Sequence, residues 1–98
     1  MNFKQEVIDK LKKEHKNLFL YSTEDKKYSA LFRGPNRSEF GIFQQMTQSN
    51  PLGALATLCE SLFLEGDREL LTEDQYFYGL SAWITQTIDI KAGEIKKL

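Results

Sequence analysis

Two short runs of apolar and aromatic residues, Leu18-Phe19-Leu20-Tyr21-Ser22-Thr23 and Tyr28-Ser29-Ala30-Leu31-Phe32-Arg33, flank the polar stretch Glu24-Asp25-Lys26-Lys27. Strand-forming side chains joined by a compact polar link predict an antiparallel hairpin over residues 18–33. In the second run Ser29 and Leu31 fall on one face, and Tyr28, Ala30 and Phe32 on the other. A two-stranded hairpin is marginal in water. One face must therefore pack on helices, or the edge must gain strands from another copy of the chain.

The segments around the hairpin read as helices. Over residues 1–16, Phe3, Val7, Ile8 and Leu11 recur at helical spacing among charges; Asn2 suits an N-cap with Gln5 three residues on. Gly34-Pro35 ends the hairpin. Asn36 with Glu39 then forms a capping box for a helix over 36–48, carrying Phe40, Ile42, Phe43 and Met46. Asn50-Pro51 restarts the chain as a helix over 51–64. Its apolar positions Leu52, Leu55, Ala56, Leu58, Cys59, Leu62 and Phe63 cover so much of the circumference that it should be central, with Gly66 as its C-terminal cap. Thr72, with Gln75 three residues later, opens a last helix over 73–88. Residues 89–98 form a loose tail. The expected fold is one α+β domain: an N-terminal helix, an antiparallel β-hairpin and a three-helix region.

Composition narrows the function classes. The chain has 98 residues, and 41% of them are hydrophobic. A chain of that length buries roughly two-thirds of its unfolded surface, enough for one core. Thirteen basic and 14 acidic residues leave a net charge of −1, which excludes nucleic-acid binding through bulk charge. A single Cys and a single His exclude an internal disulfide and a closed zinc site built from those residues. No apolar run reaches the ~20 residues of a membrane span, and charges interrupt the N-terminal segment as no signal peptide allows. A cytoplasmic location follows as the expectation. Residues 1–40 carry a balance of +3 and residues 41–98 one of −4, an asymmetry that suits solvated faces or head-to-tail contact between copies.

Residues that support catalysis are scarce. His15 has no ligand or base partner at useful spacing, and Cys59 lies among Leu55, Leu58 and Leu62, where a small buried side chain is the simpler reading. Glu65-Gly66-Asp67-Arg68-Glu69 lacks the oxygen-ligand alternation of a calcium loop. Glu73 and Asp74 fit the first turn of a helix, where acids favour the dipole. No glycine-rich phosphate loop is present. No catalytic residue, cofactor or metal is therefore expected. Arg33 and Arg37 near Phe32, Phe40, Tyr21 and Tyr28 could stack single-stranded bases, but the rings more simply form the apolar side of the hairpin.

One string carries a resemblance. The hairpin ends in Arg33-Gly34-Pro35-Asn36-Arg37-Ser38-Glu39, an R-x-P-x-R-x-E pattern. After a helix come Asn50-Pro51-Leu52, an apolar helix with Leu58, Cys59 and Leu62, and the turn Glu65-Gly66-Asp67 before Glu69-Leu70-Leu71. Over residues 18–75 this order resembles the small tail assembly chaperones of long-tailed phages and prophages, or a related mobile-element family. The resemblance implies a non-enzymatic protein of a bacterial host's cytoplasm. It would cover the hydrophobic helices of a tape-measure protein and self-associate. The matched positions Arg33, Pro35, Arg37, Glu39, Gly66 and Asp67 are the candidate protein-binding residues, with capping and turn formation as their alternative role. A small adaptor module of another partner, or a single-stranded nucleic-acid binder, are the competing functions.

Overall fold

A computed structural model describes residues 3–88 and 91–98. The chain runs α1 (Gln5–Glu14), β1 (Leu18–Ser22), β2 (Ser29–Arg33), α2 (Arg37–Thr47), α3 (Pro51–Leu62), β3 (Phe63–Gly66), α4 (Glu69–Thr72) and α5 (Asp74–Trp83), closing with a 3-10 helix (Ile84–Thr87). The class is α+β, as expected, but the hairpin gains a third strand from its own chain. The sheet order is β1-β2-β3, and both pairs are antiparallel.

β2 explains that addition. Ser29, Ala30, Leu31 and Phe32 are all buried, so both faces and both edges of the strand are withdrawn from water. Peptide groups in such a strand need partners on each side. β1 supplies one set, with Phe19 opposite Phe32 and Tyr21 opposite Ala30. The other set comes from Phe63–Gly66. Helix α3 therefore stops at Leu62, two residues short of the expected boundary, and its C-cap Phe63 turns extended. Phe63 pairs with Phe32 in the sheet, and the two rings meet edge to face at 5.6 Å. Gly66 is thus a strand residue opposite Ala30 and not the cap of α3. Its φ of +136° suits only glycine, and an added Cβ would lie 2.5 Å from the Ala30 Cα and the Ser29 carbonyl oxygen.

The helices follow the caps where caps exist. Asn36 and Glu39 form the expected capping box of α2, and the Asn50 side chain accepts from the Gly53 amide with Pro51 in the first turn of α3. The N-terminal helix starts later than expected, with Lys4 at the N-cap position and no side-chain cap; Asn2, the expected cap, lies outside the described residues. The 73–88 helix divides. Thr72 closes α4, Glu73 precedes α5 without a capping bond, and after Trp83 the chain tightens into the 3-10 helix. Of the expected 89–98 tail, residues 91–98 are irregular and exposed, and residues 89 and 90 lie outside the described set.

The core lies on one face of the sheet. Ala30 and Phe32 meet Leu58, Cys59 and Leu62 of α3, Leu70 of α4, Leu80 of α5 and Ile84 of the 3-10 helix. Helix α3 is central as expected, packing against α2, α4, α5 and the 3-10 helix. It buries one face only, since Leu52 is 57% exposed.

Two glycines should respond in opposite directions. Gly66→Ala meets backbone at a left-handed position and should destabilise the domain by roughly 3 kcal/mol. Gly41, on an exposed turn of α2 with open space around it, should stabilise by about 1 kcal/mol when changed to Ala. Chemical denaturation of both variants measures the contrast.

Candidate functional site

The six matched positions do not converge on one place. Arg33 and Glu39 form a clip at the end of β2. Arg33 Nη1 and Nη2 donate to Glu39 Oε1 and Oε2 at 2.7 and 2.6 Å, a two-pronged pair. Nη2 also donates to the Ser61 carbonyl at 2.9 Å, near the C-terminus of α3. The same Glu39 accepts from the Asn36 amide at 3.0 Å, while Asn36 Oδ1 accepts from the Glu39 amide at 2.8 Å. One carboxylate thus caps α2 and ties it through Arg33 to the sheet and to α3. The hydrogen bonds from Arg33 hold the Glu39 carboxyl below its ordinary range, against the opposing pull of partial burial, and the Arg33 guanidinium is pushed up in turn. Pro35 is half-buried beside the clip. Arg37, the first residue of α2, is exposed and takes no part in it.

Gly66 and Asp67 lie at the opposite end of β2. Asp67 Oδ2 accepts from the Ser29 amide at 3.0 Å, and the Asp67 amide donates to the Ser29 carbonyl at 2.9 Å. This second staple closes the β2–β3 pairing. Four of the six positions, all except Pro35 and Arg37, therefore have a visible structural task. A third fastening was not foreseen. Asp25, in the hairpin turn, accepts from Thr23 Oγ1 and Tyr76 Oη at 2.6 Å each and from the Lys27 amide at 3.0 Å. It binds the turn to α5, and Tyr76 meets the Tyr28 ring edge to face at 4.8 Å. The bonds from Thr23, Tyr76 and Lys27 lower the Asp25 carboxyl to about 2, and the bond to Asp25 raises the Tyr76 hydroxyl to about 12. Only the turn itself was readable beforehand, because its partner lies 51 residues away in sequence.

The remaining candidates are likewise occupied. Cys59 is fully buried, and burial pushes its thiol up to about 12, the reverse of what a nucleophile needs. His15 stands 4.0 Å from Glu14 at the end of α1. Arg68 pairs with Glu60 at 2.6 Å and lies over the Phe63 ring. Phe32 is 1% exposed and Arg33 is committed to Glu39, so neither is free to hold a base. Among the described residues no cluster of three His, Cys, Asp or Glu side chains is placed to hold a metal ion.

Two surface crevices are lined mainly by apolar side chains. Between α2 and α3 runs a crevice of about 60 Å³ lined by Ile42, Phe43, Met46, Ala54, Thr57 and Leu58, with Glu39 and Ser61 at its margin. Ile42 on its rim is 50% exposed, and Leu52 elsewhere on α3 is also open to solvent. A second crevice of about 140 Å³ lies beside β1, where Phe19, Leu20 and Tyr21 face Trp83, Ile84 and Gln86. No known family model, curated protein or solved structure matches the chain.

Both fastenings have titration signatures. Glu39 ionises more readily in the folded than in the unfolded chain. The clip therefore adds stability above the ordinary glutamate range and loses it as pH falls through the lowered value. Glu39→Gln should destabilise the domain by about 2 kcal/mol at neutral pH, with the deficit closing in acid; denaturation at several pH values reads this. For the turn, Asp25→Asn should bring one tyrosine from about 12 back toward 10 in a spectroscopic pH titration.

Proposed function

We propose that the chain is a non-enzymatic, protein-binding assembly chaperone of the phage or prophage tail type, acting in the cytoplasm of a bacterial host. Its partner would be a long helical protein such as a tape-measure protein, with self-association as a second activity. The observation that carries this reading is the crevice between α2 and α3, whose walls are apolar and whose rim residue Ile42 stays half-exposed. An amphipathic helix laid across α2 and α3 would seat an apolar anchor in this crevice, a recurring mode of helix recognition. Ile42 and Met46, four residues apart on α2, would contact it on one helical face.

Two further observations support the reading. Arg33 and Glu39, the most distinctive pair in the sequence, hold α2 against the sheet and α3, and so fix the crevice walls relative to each other. In addition, no described helix is long and apolar enough to cross a membrane, which fits a partner met in aqueous surroundings.

Calorimetric titration with long helical tape-measure fragments tests the proposal. Binding should occur, and Ile42→Asp together with Met46→Asp should weaken it at least ~10-fold, about 1.4 kcal/mol or more. The absence of binding, or binding indifferent to both substitutions, rejects it.

A further inference from the structure

We propose that the outer edge of β1 pairs with the same edge of a second copy, giving a dimer with two-fold symmetry and one sheet running through both molecules. The inference is independent of what occupies the α2–α3 crevice.

The two edges of the sheet are not alike. β3 is four residues long, shifts register against β2 and contains Glu65 and the left-handed Gly66. Short length, irregularity and an edge charge all discourage further pairing. β1 pairs with β2 without a shift and has no proline, charge or bulge between Leu18 and Ser22. The Thr23 amide donates to the Tyr28 carbonyl, and the Gly34 amide to the Asn17 carbonyl. By the alternation of antiparallel pairing, odd-numbered residues of β1 direct their peptide groups at β2, while Leu18, Leu20 and Ser22 direct theirs outward. Among the described residues no backbone hydrogen bond reaches that outer edge.

The sequence of β1 and its flanks says what fits there. Counted in both directions from Leu20, Phe19 matches Tyr21, Asn17 matches Thr23, and Lys16 matches Glu24. An antiparallel pair centred on Leu20 therefore sets each ring against a ring and each Lys16 against Glu24 of the other copy. The outward peptide groups fall into register as well: Leu20 faces Leu20, and Leu18 faces Ser22, for about six hydrogen bonds between copies. Slipping the pair by two residues, the smallest shift that keeps the outward peptide groups opposed, removes the charge match, and in one direction brings Lys16 against Lys26 of the second copy. Leu20, 61% exposed in the single chain, lies on the symmetry axis, where the two side chains cover each other. A self-matching patch of this kind closes on itself and does not propagate. The exposed Trp83 ring lines the crevice beside the same strand and should report the pairing optically.

Sedimentation equilibrium of the full chain tests the proposal. A monomer–dimer equilibrium should appear, and hydrogen exchange at the Leu18, Leu20 and Ser22 amides should slow as the dimer fraction rises. Leu20→Lys should weaken the dimer at least ~10-fold by placing two like charges on the axis, whereas Tyr78→Lys, at an exposed site on α5, should leave it unchanged. Lys16→Glu and Glu24→Lys should each weaken it, and the double variant should restore it. A chain monomeric at the highest soluble concentration overturns the proposal. So do a dimer in which those three amides exchange as in the monomer, a double reversal no tighter than the single ones, and an edge that takes up only foreign extended peptides. Helical-fragment binding is read separately through Ile42 and Met46, so a monomeric chain overturns this dimer, and the self-association proposed above with it, while helix binding stands or falls on its own titration.

Discussion

Burial of β2 on both faces and both edges is the constraint from which most of this structure follows. Water cannot reach the peptide groups of Ser29 to Phe32, so every one must find an internal partner. β1 can serve only one edge. The chain must then bring a second strand from beyond two helices, and α3 is cut short at Leu62 to release it. Side-chain packing gains from the same step, because Phe63 reaches Phe32 only when the residues after Leu62 are extended. Backbone satisfaction and core packing demand the same break in the helix, which is why an apolar run able to continue α3 does not do so.

A few polar residues fasten elements of the fold to one another. Arg33–Glu39 and Asp25–Tyr76 each join elements that are not neighbours in the sheet, and each uses a carboxylate with several donors. A carboxylate that accepts two or three hydrogen bonds is favoured in its ionised form, so the fold is held by groups that need to be charged near neutrality. Motif residues committed in this way are poor candidates for chemistry on a ligand. Ile42 and Leu20 are among the large apolar side chains left exposed, each beside an apolar crevice.

The legible parts of the fold were those written in local chemistry. The hairpin, its polar turn, the Asn36–Glu39 capping box and the Asn50-Pro51 helix start all rest on residues of one short contiguous stretch each, and all were readable. The illegible parts depend on distance. Phe63-Leu64-Glu65-Gly66 has too few residues to declare a strand, and Leu62-Phe63 continues a helical stripe; only the unmet edge of β2 decides the matter. Gly66 reads locally as a helix cap, since a left-handed glycine serves both purposes. Thr72 with Gln75 mimics a capping box, yet the chain closes α4 there before α5 begins. For the candidate site, capping by Glu39 was foreseen and its grip on Arg33 was not, although both side chains belonged to the same motif.

The third strand also sets the order in which the molecule can be made. Ser29 and Asp67, the residues that close the sheet, are 38 positions apart, with two complete helices between them. Hairpin and helices form from local contacts on fast timescales, whereas this closure must wait for a long loop to be ordered. On a growing chain, β2 therefore exists with one naked edge until residues 63–67 have been synthesised and released. Throughout that interval the most deeply buried strand of the protein is open to chance partners, and a slow stretch of translation between α2 and β3 would lengthen its exposure.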